Sequence, residues 1–251
     1  MRRTFLAATT AALVGRIVPG FAQGAELRVL AGGAMTASLD ELGPRHARAG
    51  GPRIAFFYGT TPQLIAEAIS GRPFDLGIVP VDVMRDAGAR SRFAPGPTTD
   101  IARVGFGVAV RAGSPRPAIG SAAELRAALL AAETVATIPE SAAGAYVLSV
   151  LDRLGIAAEM RPKLRPQPNP AAIPAALISG QAQLAIFLTN VLAAPGVDVV
   201  GPFPAELQRD LVFTGAVAAG SANAAAAQRF LDFARSPEAA AVFRANGVTP
   251  G

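Results

Sequence analysis

Thr60 and Thr61 are the residues with the clearest chemical potential. They stand between a short apolar run, Ile54 to Tyr58, and Pro62, where apolar residues begin to recur at helical spacing. Hydroxyls beside the unpaired amides at the positive end of a helix can hold an anion or a polar head group. The same groups can do no more than cap the helix. Thr61 fits the N-cap and Pro62 the first helical position, where a missing N–H costs nothing. Both readings stand on the spacing alone. Three further loops have similar character: Gly32-Gly33-Ala34-Met35-Thr36, Pro139-Glu140-Ser141-Ala142-Ala143-Gly144, and Leu188-Thr189-Asn190. Glu140 is the only acid inside them and a weak candidate for a general base; a solvated loop carboxylate is the better explanation, since exposed acids are the norm.

Other chemistry is excluded or poorly supported. The chain has 251 residues, no cysteine and one histidine. Disulfides and cysteine nucleophiles are impossible, and multi-histidine zinc or Ser-His hydrolysis has no support. No metal or cofactor is expected. His46 lies in a polar, arginine-rich run and reads as a solvated helix residue.

The candidate loops need a scaffold, and the chain supplies alternating strands and helices, hence α/β layers. Glu26–Ala31 reads as a strand. A helix begins near Thr36, with Leu39 and Leu42 facing inward, and Gly43-Pro44 should break or kink it. Ile54–Pro80 reads as strand, loop, helix, turn, strand, with Leu64, Ile65, Ala68 and Ile69 on one helical face and Gly71 as its stop. Ile101–Arg111 is a candidate crossover between two lobes. Ser121 with Glu124 forms a capping-box pattern before a helix reaching Ala132.

The second half repeats the theme. Thr134–Ile138 is a strand, and Tyr146, Val147, Val150, Leu151 and Leu154 form a helical stripe closed by Gly155. A helix follows Asn169-Pro170, bent by Pro174 and ended by Gly180. Leu184–Leu188 and Val197–Val200 are strands, and Thr189-Asn190 starts another helix. Val212–Ala219 reads as the second crossover, and helices near 221–234 and 237–246 finish the chain.

At 51% hydrophobic residues the chain can bury a large core. Residues 1–24 read as a secretory signal. Arg2-Arg3 start it, Phe5–Gly15 is a short apolar run, and Ala22-Gln23-Gly24 offers small residues for cleavage. Arg2-Arg3-Thr4-Phe5-Leu6 also resembles a twin-arginine export signal. Residues 1–25 carry three of the arginines and no acid, so the formal net charge falls from +5 to +2 without them. The remaining arginines are scattered and the chain has no tryptophan, so no nucleic-acid surface is indicated. A soluble periplasmic monomer is expected.

Several segments together carry a resemblance: LRVLAGGAMT, GTTPQLIAEAISGRPFDLGIV, AAGAYVLSVLDRLGI, QAQLAIFL, GVDVVGPFPAELQ and the terminal SPEAAAVFRANGVTP. In this order the chain, from about Glu26 to Gly251, resembles the type II periplasmic solute-binding proteins of ABC importers, in the molybdate-binding-protein-like branch. The resemblance implies two lobes, residues 25–103 with 214–251 and residues 104–213, joined by two crossover strands. It also implies a small anion held in the cleft by neutral donors, and a membrane permease as partner.

The family's oxyanion donors are only partly kept. The first-loop serine position corresponds to Ala34 and the tyrosine position to Leu188 or Thr189, while Thr60 and Thr61 keep hydroxyls where the family has its second serine. Two lost donors would cost about 1–3 kcal/mol each, so an organic acid is expected ahead of molybdate. GTTPQL and GPFPAELQ resemble a divergent branch that includes aconitate isomerase, which keeps an isomerase acting on a small unsaturated carboxylic acid as one alternative; a molybdate- or tungstate-binding protein is the other. The expected ligand-binding set is Ala34, Met35, Thr60, Thr61, Gln63, Ser141, Ala142, Ala143, Gly144, Leu188, Thr189 and Asn190, with backbone donors at Gln63 and Leu64. An arginine such as Arg72 could reach in from outside these loops.

Overall fold

The computed structural model describes residues 26–251. The export signal expected over 1–24 lies outside them. The chain builds β1 (Leu27–Gly32), α1 (Thr36–Arg48), β2 (Ile54–Gly59), α2 (Thr61–Ile69), β3 (Leu76–Pro80), α3 (Ala87–Arg90) and β4 (Thr99–Arg111). It continues with α4 (Ala122–Ala131), β5 (Val135–Thr137), α5 (Ala142–Arg153), α6 (Ala157–Met160), β6 (Leu164–Pro166), α7 (Ala172–Ile178), β7 (Leu184–Leu188) and α8 (Thr189–Leu192). It ends with β8 (Val197–Pro202), β9 (Asp210–Val217), α9 (Ala224–Ala234), α10 (Pro237–Ala245) and β10 (Thr249–Pro250).

The strands follow one connected order, β2-β1-β3-β9-β4-β7-β5-β6, and β4 joins its two halves. Residues Thr99 to Gly105 of β4 pair antiparallel with β9, whereas Phe106 to Val110 pair with β7 and Gly107 to Arg111 with β8. Each half-sheet is mixed: β1 pairs in parallel with β2 and β3, and β5 in parallel with β6 and β7. The first crossover therefore falls where the sequence puts it. The second does not. Val212–Ala219 was the expected crossing, but β9 runs wholly beside β3 and the first part of β4. The return passage lies upstream, around 203–209. There Phe203 N donates to Phe106 O at 3.0 Å. The Gln208 carboxamide accepts from Phe106 N and donates to Phe106 O, both at 2.9 Å, replacing a strand neighbour at the crossing point.

Helix α1 continues through Pro44. A proline removes one hydrogen bond, but Leu39, Leu42 and His46 are buried on both sides of it and hold the helix against the sheet. His46 is thus not solvated. It lies 5.1 Å from the Phe230 ring and 5.2 Å from that of Phe233, with its Nε2 buried and unpaired. A Cβ on Gly51 would come within 2.2 Å of that atom. Burial, aided by the nearby Arg229 charge, lowers the His46 pKa.

Helix α5 packs unusually close to its own entry loop. A Cβ at Gly144 would stand 1.7 Å from the Ile138 carbonyl oxygen. Gly144→Ala should therefore destabilise the fold by about 3 kcal/mol or more, because a main-chain oxygen cannot move aside without displacing β5; urea denaturation measures this. A second expectation concerns pH. Folding favours neutral His46, while the unfolded side chain titrates near about 6.5. As pH falls below that value the unfolded state takes up the proton first, so stability drops on acidification. His46→Met should flatten the slope of the urea midpoint between pH 7.5 and 5.5; an unchanged slope would assign it to other groups.

Candidate functional site

The site lies where the C-terminal ends of β1, β2 and β3 meet the entry loops of α5, α7 and α8 from the other lobe. The N-cap of helix α2 is Thr60, not Thr61: Thr60 has extended backbone, and its N–H donates to the Gln63 side-chain oxygen at 2.8 Å. Pro62 is the second helical residue, so the expected cap is shifted by one. Thr61 is buried, and its hydroxyl accepts from Ala142 N across the seam between lobes at 3.0 Å. That bond joins the first turn of α2 to the first turn of α5. The expected amide donor Leu64 is instead bonded within the helix, its N–H donating to Thr60 O at 2.9 Å.

Ser141 is a cap. Its hydroxyl accepts from Gly144 N at 2.9 Å and donates to Ile138 O at 2.8 Å, so both of its roles are filled inside its own lobe. Gly144 faces the Ile138 carbonyl, so its lack of a side chain serves packing, not a ligand. A second bond crosses the seam at Asn190, whose Nδ2 donates to Ala34 O at 2.7 Å; its Oδ1 is buried without a donor. Main chains also meet here, since a Cβ on Gly33 would touch the Pro170 ring at 3.2 Å.

These contacts divide the interlobe space into two cavities. The inner one measures about 30 Å³ and is lined by Ala34, Thr60, Thr61, Ser141, Ala143 and Leu188, with Gly32, Gly33, Gly59, Pro80, Ile138, Pro170, Leu211 and Phe213. That is room for about one water. The outer one measures about 850 Å³. Ala34, Thr60, Gln63 and Asn190 line it among the expected residues, together with Tyr58, Asn169, Arg244 and Asn246, which sequence reasoning missed. Asn169 begins the next helix by accepting from Ala172 N at 3.1 Å.

Several expected site residues lie elsewhere. Met35 is fully buried in the core. The Thr189 hydroxyl donates to Gly105 O at 3.3 Å and so braces the crossover strand. Glu140 is exposed and lines neither cavity, which removes it as a base for cleft chemistry. Arg72 pairs with Glu67 at 2.6 Å on the surface, so it is not the arginine of the cleft. Tyr58 could have been suspected, because its β2 position places it one residue before the Gly59-Thr60 loop. Its hydroxyl donates to Asp40 Oδ1 at 2.6 Å, its ring stacks on Phe56, and burial and that hydrogen bond raise its pKa well above the usual phenol range. No local pattern announces Arg244 or Asn246, which reach the cleft only because the chain returns to the first lobe.

Among the described residues no group of three or more His, Asp or Glu side chains is placed to hold a metal. Nor is any described helix long and apolar enough to cross a membrane.

Residues 27–249 match the family described as bacterial extracellular solute-binding protein. Aconitate isomerase from a Pseudomonas species is 28% identical over 231 residues, 89% of this chain and 87% of its own length. The molybdate-binding protein of Escherichia coli (strain K12) is 32% identical over 108 residues, 43% of this chain and 42% of that protein. Among solved structures, the periplasmic molybdate-binding protein of Azotobacter vinelandii superposes with a TM-score of 0.74 at 18% identity, over 89% of this chain and 98% of that one. The two half-sheets joined through β4 give the fold of that solved molybdate-binding protein, and the match over residues 27–249 leads to one conclusion: the chain belongs to the bacterial extracellular solute-binding proteins.

Proposed function

We propose that this protein is an exported periplasmic receptor that captures a small organic acid between its lobes and delivers it to the permease of an ABC importer. One observation carries the choice of ligand class. The inner cavity holds about 30 Å³, whereas the outer chamber holds about 850 Å³. A tetrahedral oxyanion has four oxygens, each about the size of a water, and would crowd the former, which shares the walls at Gly33, Ala34, Gly59, Thr60 and Pro170 with the latter. Its natural hydroxyl donor there, Thr61, is engaged with Ala142. The chamber has the size of a small-molecule site. Its wall carries carboxamides, the hydroxyl residues Thr36, Tyr58 and Thr60 and one cation, and none of its lining residues is an acid. Such dipoles replace water around a carboxylate without a like charge to oppose it.

The bodies that close are residues 26–105 with 210–251, and residues 106–209, as the strand pairing suggests. The Thr61–Ala142 and Asn190–Ala34 bonds then belong to the closed form. Ligand binding and formation of these bonds are linked, because a ligand held by both lobes favours the state in which the seam is made.

An isomerase acting on an unsaturated carboxylic acid is the second reading. The observation in its favour is Tyr58, a phenol on the chamber wall hydrogen-bonded to Asp40. Its raised pKa keeps it protonated, so its role would be to hold Asp40 or to donate a hydrogen bond to the substrate, not to abstract a proton. Mixing the protein with cis-aconitate and following the trans isomer tests this: turnover abolished in Tyr58→Phe supports the enzyme, and no turnover in the wild type dismisses it.

The receptor reading is tested by thermal shift and titration calorimetry with citrate, cis- and trans-aconitate, molybdate and sulfate. A tricarboxylate should bind and molybdate should not; nanomolar molybdate binding would overturn the assignment. Thr61→Val keeps the shape and removes the acceptor that fixes the closed seam. It should weaken carboxylate binding by about 0.5–1.5 kcal/mol, and equal affinity in a folded variant would show that the seam bond does not favour closure.

A further inference from the structure

Arg244 is the one charged residue on the wall of the outer chamber. It stands in the last turn of α10, and its side chain is exposed. Several arginines elsewhere have structural partners: Arg45 pairs with Glu41 and Glu238, Arg85 with Asp82, and Arg90 with the carbonyls of Phe93, Ala94 and Gly96; Arg244 differs from the rest in lining the chamber. The chain end that carries Arg244 is held firmly. Val248 N donates to Phe243 O at 2.9 Å and the Asn246 carboxamide to Val242 O at 2.9 Å. Gly247 adopts a φ of +70°, and a Cβ there would stand 3.5 Å from Asn190 Cα of the other lobe. The helix end thus abuts the seam itself, and the cation rises from a fixed base beside both lobes.

We propose that Arg244 is the specificity-determining residue of the cleft, pairing with a carboxylate of the ligand. This rests on the reading of the chamber as an organic-acid site. A planar guanidinium offers paired N–H donors that match the two oxygens of a carboxylate. The neutral groups of the wall solvate the rest of the ligand, and Arg244 supplies the charge that a neutral molecule of the same shape cannot use. An oxyanion in the inner cavity would be held by the loops at Thr60 and Ser141 and would not need Arg244, so the two locations give opposite responses to its removal.

The experiment is titration calorimetry of citrate, trans-aconitate and molybdate against wild type, Arg244→Gln, Arg244→Lys and Arg72→Gln. Arg72 is exposed and paired with Glu67 outside the cleft, so it controls for a general loss of positive charge. Melting temperatures without ligand establish that each variant is folded. Arg244→Gln should bind the tricarboxylate about 10- to 100-fold more weakly, the range expected for a charge-assisted hydrogen bond. Arg244→Lys should fall between it and the wild type, and Arg72→Gln should match the wild type. A tricarboxylate bound equally well by wild type and Arg244→Gln overturns the proposal and leaves the receptor reading intact. So does an equal loss in Arg72→Gln. A wild type that binds molybdate alone overturns both.

Discussion

The hydrogen bond from Ala142 N to the Thr61 hydroxyl joins the two lobes at the point where their helices begin, and the rest of the site depends on it. Both groups are at the entrance of a helix, where main-chain N–H groups lack partners within the helix. Leaving a buried amide unpaired costs about 1–3 kcal/mol. Thr61 from the opposite lobe supplies the partner that the half-buried Ala142 amide would otherwise take from water. Beside it the Gly33 loop packs against Pro170, and the inner cavity between them measures about 30 Å³. A hydroxyl that could have held an anion is thereby engaged across the seam, and the proposed recognition site is the outer chamber.

The two crossover strands make this arrangement possible. β4 gives its first half to one half-sheet and its second half to the other, with Gln208 bonded to both polar main-chain atoms of Phe106 at the changeover. Buried groups inside a lobe, such as His46 between Phe230 and Phe233, contribute to stability and are uninvolved in the seam. The chamber wall, in contrast, belongs to both lobes: Tyr58, Thr60 and Arg244 come from one, Asn169 and Asn190 from the other.

Local signals in the sequence were enough for the alternation of elements and for the order of the loops around the cleft. They failed where a tertiary contact outweighed a local preference. Pro44 reads as a break, yet burial of Leu39, Leu42 and His46 carries α1 past it. Thr60 and Thr61 are adjacent hydroxyls with equal claim to the cap, and only the Gln63 carboxamide on Thr60 N decides between them. The apolar run after Val212 looks like any crossing segment, since pairing partners leave no trace in composition; β9 proves to be an interior strand of the first half-sheet. At the site, small-residue loops were legible because their composition is unusual. Arg244 and Asn246 were not, because an arginine near a helix C-terminus is favourable for the helix itself and so carries no distinguishing mark.

The most direct measurement is a crystal structure of the mature protein grown with trans-aconitate or citrate. The account predicts density for the acid in the outer chamber, a carboxylate on Arg244, and the Thr61–Ala142 bond intact behind it. Density for the ligand in the inner cavity, with Thr61 turned from Ala142 to the ligand and Arg244 untouched, would contradict it.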